Sequence, residues 1–261
     1  MGLFDLFKKK ENPAVSVSVT IGKARPIEVE VAQRTPGELL LADVDGYVSP
    51  SGGFVNFGRY CVVGQNASTG RKNTKRYEVQ TEADARAAAV ADGLVEPIAV
   101  NVEPMPGPTE RQTDYALDLK AALPAGVCSE DVSAIISRIT DEDEGAPDPG
   151  LSRYAHACKV RFSRFIGKSA ILSAMFNQMK ETDRAALYAY SVYLQEKGGG
   201  FGDPRSLPVF PAFCEFGEAV ASDTLLMKSL ADREAIDLLA PNRGTKIYKA
   251  AAAFLRERRA V

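Results

Sequence analysis

The sequence predicts an α+β protein, with a small antiparallel-sheet module carrying one helix, followed by an all-α domain. Three observations carry this expectation. Apolar residues alternate with strand-like spacing before residue 105, they recur at helical spacing after 108, and MPGP at 105–108 stands between the two patterns. At 261 residues, two folding units are the natural expectation. The reading is a flexible N-terminus over 1–12, an α+β module over 13–105 and a helical domain over 109–261.

In the first module Val15, Val17 and Val19 alternate with polar residues, and Ile27, Val29 and Val31 do the same after GKARP, which predicts a hairpin. PGELLLADVDGYVSPSGGF reads as a connection containing the short apolar run Leu39–Leu41. Strand signals return at Gly58–Val63 and Lys75–Val79, around a turn bearing Gly and Asn. Thr81 is the expected N-cap of EADARAAAVA, Asp92-Gly93 its stop, and Ile98, Val100 and Val102 form the next strand.

In the second half Thr109 and Gln112 form a capping box for a helix with Tyr115, Leu119 and Leu123 on one face. Ser129 is the expected cap of a helix whose Val132, Ile135, Ile136 and Ile139 make a buried stripe. DEDEGAPDPG, 141–150, reads as an acidic linker within the helical domain. Helical patterns follow near 151–159, 167–180, 182–196 with Thr182 as its cap, 209–221, 223–239 and 245–259.

Composition excludes several classes. One histidine, His156, argues against histidine-based metal sites and Ser–His or Cys–His catalysis, and neither metal nor cofactor is expected. Four dispersed cysteines without CxxC spacing suit a reduced, cytoplasmic interior. MGLFDLFKKK is too short to span a bilayer, Leu6 departs from the myristoylation pattern, and no long apolar run occurs. DVDG at 43–46 fails as a calcium loop because Phe54 stands where a bidentate Glu is required. The glycine run Lys197–Asp203 lacks the P-loop pattern. His156 and Cys158 fall on different helix faces, so His156 reads as structural. Tyr188, Tyr190 and Tyr193 read as core and rim.

The charge pattern is more pointed. Net charge is −2, yet Arg71, Lys72, Lys75 and Arg76 gather at an expected hairpin tip. Leu151–Lys180 holds six basic residues and no acidic one, Arg161, Arg164 and Lys168 among them. Arg243–Val261, with Arg243, Lys246 and Lys249, carries six basic residues against Glu257 alone. Single-sign clusters favour an anionic partner. The alternatives are cations that guard an exposed sheet edge, or that pair with the acidic linker.

Two stretches bear family resemblances. Arg59–Val63, the turn ASTGRKN, the strand TKRYEVQ and the helix opening TEADARAAA resemble the arm-type DNA-binding domains of phage and transposon integrases. That resemblance implies a sheet entering the major groove with basic side chains on the phosphates. It does not carry over the recombinase, whose Arg, His and Tyr pattern is absent. Thr109, Arg111, Gln112, Tyr115, Ala116, Leu119, Pro124, Ile135 and Ile136 resemble a two-helix element appended to bacterial proofreading-type exonucleases and mobile-element proteins, which implies a packing or docking unit.

The expected function is non-enzymatic binding of DNA or RNA phosphates by a cytoplasmic accessory protein of a bacterial mobile element or phage. The contacts would be the ten cations from Arg71 to Lys249 named above. The alternatives are a protein–protein adaptor with a helical docking domain, and a hydrolase with an unrecognised acidic site.

Overall fold

The computed structural model describes residues 17–19, 27–29, 49–143 and 145–258. The 1–12 terminus, Leu39–Leu41, Asp43 and Asp45 of DVDG, Glu144 and Arg259 lie outside the described residues. Strands β1 (Val17–Val19) and β2 (Ile27–Val29) pair antiparallel, Val17 against Val29, as the alternation predicts.

A second sheet holds β3 (Gly58–Asn66), β4 (Lys72–Val79) and β5 (Leu94–Glu103) in the antiparallel order β4-β3-β5. Helix α1 (Glu82–Ala91) covers one face. Its N-cap is Thr81, whose hydroxyl accepts the Asp84 N–H at 3.1 Å, and the chain turns at Gly93 into β5. Ala85 and Ala89 are fully buried, so the helix lies close on Tyr60, Val62, Leu94 and Ile98. Alternation along β3 turns Arg59, Cys61 and Val63 to the opposite face. There they meet Glu78, Arg76 and Thr74 on β4 and Glu103, Asn101 and Ala99 on β5.

Beyond 105–108 the chain is helical, as predicted: α2 (Glu110–Asp118), α3 (Ser129–Thr140), α4 (Pro149–Ala157), α5 (Lys168–Gln178), α6 (Glu181–Lys197), α7 (Phe210–Ala221), α8 (Thr224–Ala231) and α9 (Lys246–Glu257). The Thr109–Gln112 capping box forms. Helix α6 runs through the main core, where Tyr188 and Tyr190 are buried and Tyr193 is partly so.

Four local expectations are corrected. α6 starts at Glu181 after Lys180, so Thr182 lies inside the first turn, where Glu181 and Asp183 complement the helix dipole. Cys128, not Ser129, is the N-cap residue of α3, because Asp131 reaches back to its N–H. The 223–239 pattern splits into α8 and a 3-10 turn over Ala235–Leu238, where the Asp237 carboxylate accepts the Glu234 N–H at 3.1 Å. The acidic linker is anchored as helix caps. Asp148 accepts from Gly150 and Leu151 at the start of α4, and Asp143 accepts from Ser169 and Ala170 at the start of α5.

A polar junction joins the segment before β3 to the helices. Phe54–Asn56 runs antiparallel to Phe162–Arg164: Asn56 N–H donates to Phe162 O at 3.0 Å and Arg164 N–H to Phe54 O at 2.7 Å. The buried Asn56 amide donates to Val160 O at 2.8 Å and accepts the Phe162 N–H at 2.8 Å. Beside it the fully buried Asp131 carboxylate accepts three hydrogen bonds, from Phe54 N–H at 2.9 Å, Cys128 N–H at 2.8 Å and the Ser163 hydroxyl at 2.7 Å. Gly53, at φ +76°, passes so close that a Cβ there would stand 2.8 Å from Cys128 Sγ and 3.0 Å from Asp131 Oδ2.

His156 completes the junction. Its Nδ1 lies 3.2 Å from the Asn56 side-chain nitrogen and 3.1 Å from that of Gln80. Both amides are oriented by other bonds, Asn56 by Val160 O and Phe162 N–H, and Gln80 by His156 O at 2.9 Å. Nδ1 is therefore an acceptor and the imidazole is neutral, in keeping with burial pushing its pKa down.

Two outcomes follow from this junction. Asp131→Ala strands three donors and should lower the unfolding free energy by about 3–5 kcal/mol, read by urea denaturation. Asp131→Asn keeps an oxygen for both N–H groups and an NH2 that donates to Ser163, so its loss should stay under about 2 kcal/mol. Equal losses would locate the penalty elsewhere. The second outcome concerns pH. A histidine whose folded pKa is depressed stabilises the fold above its unfolded pKa of about 6.5, and that contribution is lost as pH falls through the folded value. The stability drop between neutral pH and pH 5.5 should therefore shrink in His156→Asn, whose Oδ1 replaces Nδ1 as acceptor. An undiminished drop would exonerate His156.

Candidate nucleic-acid interface

The turn between β3 and β4 is built around Asn66. Its Oδ1 accepts from the backbone N–H groups of Ser68 and Thr69 at 3.1 and 3.0 Å, and from both of their hydroxyls. Gly70, at φ +66°, closes the turn by donating to Asn66 O at 2.8 Å, and Ala67 N–H anchors it to Gly93 O at 2.9 Å. The tip is thus held by its own hydrogen bonds while Arg71 and Lys72 project from it, exposed and without an ion pair among the described residues.

The other two cations of the run diverge. Lys75 turns to the α1 face, where its ammonium donates to Asp92 Oδ2 at 3.1 Å and to Asp92 O at 3.2 Å. Tyr77, two residues on, donates to the same carboxylate at 2.9 Å, which holds the Asp92 pKa down. Burial together with that bond pushes the Tyr77 phenol up to about 12. Arg76 turns to the opposite face and donates through Nε to Glu103 Oε2 at 2.9 Å, with Arg59 Nε 3.3 Å from the same oxygen. That bond from Arg76 holds the Glu103 carboxyl below its ordinary range. Four cations adjacent in sequence thus occupy a tip and two faces.

The second predicted cluster adjoins the sheet at one point. Arg161 donates to Glu78 Oε2 at 3.1 Å and lies over the Phe57 ring at 5.6 Å. It borders a groove of about 290 Å³ shared with Glu130, Ser133, Ser137 and Gln178. Lys159 is ion-paired with Asp84 of α1, whose carboxyl is held below its ordinary range by Lys159 and Thr81 in spite of burial, which pulls it up. Arg164 is half-buried and its backbone is spent on Phe54, while Lys168 is exposed at the start of α5.

The third cluster belongs to the helical core. Arg243 pairs with Glu196 of α6 at 3.4 Å, and Lys246 and Lys249 are exposed on α9, which packs against α6, α7 and α8. The hairpin and Arg161 are therefore joined by a direct contact, and the α9 cations sit on separate elements. Sequence reasoning missed Arg59 and Glu103. Their signal was the strand register, since Arg59 faces Glu78 on one side and Glu103 on the other.

No helix among the described residues is long and apolar enough to cross a membrane. No protein-family model, curated protein or solved structure matches the chain.

Proposed function

We propose that the protein is a non-enzymatic nucleic-acid-binding accessory protein that contacts backbone phosphates through the β3–β4 hairpin. One observation carries this reading: a hydrogen-bonded turn presents Arg71 and Lys72 to solvent, clear of any ion pair among the described residues. An ordered tip pays little further entropy on binding, and its charges are already unshielded by carboxylates. The resemblance of 59–89 to integrase arm domains supports the same reading and suggests a mobile-element setting. Four free cysteines suit the cytoplasm.

A protein–protein adaptor is the second reading, favoured by one feature. An apolar groove of about 300 Å³ between α2 and α3 is lined by Thr109, Arg111, Gln112, Tyr115 and Ile136, and Tyr115 is 47% exposed.

The two readings separate in a salt titration. Mixed-sequence duplex DNA should bind with micromolar affinity at low salt, and log K should fall linearly with log salt. Arg71→Ala with Lys72→Ala should flatten that slope by about two units. Lys75→Ala, which removes a cation already spent on Asp92, should leave the slope nearly unchanged. A folded Arg71/Lys72 double variant with the wild-type slope would transfer the hairpin's role to the adaptor reading.

A further inference from the structure

The face of the sheet opposite α1 holds an arrangement that a run of surface charges does not require. Arg76 stands directly across from Cys61, yet its Nε reaches over that small side chain to Glu103 on the far strand, 2.9 Å away. Arg59, the in-register neighbour of Glu103, brings its own Nε to 3.3 Å from the same oxygen. Two guanidiniums thus converge on one carboxylate oxygen from two strands. Arg76 donates its Nε–H there and Arg59 stands in ion-pair contact through Nε, and the Nη atoms of both make no hydrogen bond among the described residues. Glu78, the other neighbour of Arg59, is engaged by Arg161.

The local charge is one positive in excess: Arg59 and Arg76 against Glu103. Asn101 and Thr74, exposed on the same face, add neutral polar groups beside the pair. Planar guanidinium forks held side by side match the oxygens of a tetrahedral phosphate, and a carboxylate behind them fixes their direction. We infer that Arg59 and Arg76 form a phosphate-binding seat on the open face of the sheet, with Glu103 as the positioning residue that aligns both guanidiniums. The inference rests on the nucleic-acid reading for its source of phosphate, the backbone of a duplex. Lys72 and Arg76 are separated by four residues of strand, about 13 Å, so the tip and the seat are far enough apart to engage different phosphates.

The test uses the full chain and two probes. With a 20-base-pair mixed-sequence duplex followed by fluorescence anisotropy, Arg59→Ala with Arg76→Ala should flatten the salt slope by about one unit, the share of one phosphate. Arg59→Lys with Arg76→Lys keeps both charges and removes the fork. It should retain the slope while binding about tenfold more weakly, and it serves if the alanine pair fails to fold. Glu103→Gln keeps an oxygen for the guanidiniums and Glu103→Ala removes it, with the same change of one charge, so the alanine variant should bind the duplex about threefold more weakly than the glutamine variant; equal affinities would deny Glu103 its positioning role and overturn the assignment. With inorganic phosphate, followed by NMR of the arginine Nε–H resonances, Arg59 and Arg76 should shift together and saturate.

The outcomes separate the two ideas. If the duplex does not bind and both Nε–H resonances respond to phosphate, the seat stands and the nucleic-acid reading falls. If the duplex binds, and a folded variant with both arginines replaced keeps the wild-type slope and affinity, the seat is overturned and the reading survives on the tip alone. Nε–H resonances indifferent to phosphate would also overturn the seat.

Discussion

The Asp131 carboxylate is the constraint on which the rest of the arrangement depends. It is fully buried, and it takes one hydrogen bond from each of three chain segments: Phe54 before the sheet, Cys128 at the head of α3, and Ser163 between α4 and α5. A carboxylate without such partners would be expelled from an interior site, so the three donors and the charge impose one another. Gly53 shows how tightly the point is made, since even one added carbon would meet Asp131 and Cys128. Asn56 repeats the device two residues beyond Phe54, using both ends of its amide on Val160 and Phe162. Phe57 and β3 follow directly, so the pose of the sheet beside the 160–164 segment, and with it the Arg161–Glu78 contact, derives from these polar anchors.

The electrostatic organisation then reads differently from the sequence. Three clusters of cations suggest additive attraction for an anion, but pairing divides them. Lys75, Arg76, Lys159, Arg161 and Arg243 each meet a carboxylate from a distant part of the chain. Exposed pairs of this kind add little stability. At Arg76 the larger consequence is directional, because a guanidinium held by Nε presents its remaining donors at a fixed angle. Two acids of the 141–150 linker, which composition offers as natural partners for the basic segments, cap helix starts: Asp148 that of α4 and Asp143 that of α5. Backbone N–H groups at a helix start compete well for a nearby carboxylate, since the partners are already in place.

What was legible in the sequence follows from range. Caps and periods are local, so Thr81, Thr109 with Gln112, the Asp92-Gly93 stop and the change of period at 105–108 were readable, and the α+β class with them. Thr182 and Ser129 misled because a residue with good capping chemistry was outcompeted. Asp131 reached the Cys128 N–H first, and acidic residues at Glu181 and Asp183 extended α6 by charge rather than by a cap bond. The site was half legible. Arg71 and Lys72 are exposed because they flank a turn, which local sequence reveals. The opposite orientations of Lys75 and Arg76 follow from strand alternation, yet their partners Asp92 and Glu103 depend on which strands become neighbours. The convergence of Arg59 and Arg76 needs the β4-β3-β5 order, in which β3 lies between the two strands that follow it.

That strand order also separates the side chains that stabilise the sheet from those that carry its surface charge. Placing β3 in the centre buries Tyr60 and Val62 under α1, so the apolar side of the sheet carries its stability. The other side carries Arg59, Cys61, Val63, Thr74, Arg76, Glu78, Ala99, Asn101 and Glu103, a mostly polar mixture that belongs to none of the described buried clusters. Polar groups on such a face are held by each other and by the register of the strands, and they can be exchanged without emptying a core. The β3–β4 turn extends the same division: Asn66 and Gly70 fix its backbone, whereas Arg71 and Lys72 contribute charge to its surface and no packing to its interior. A protein organised in this way can carry exposed cations on one hairpin because the anchors at Asp131 and Asn56, and the packing under α1, hold that hairpin from the other side.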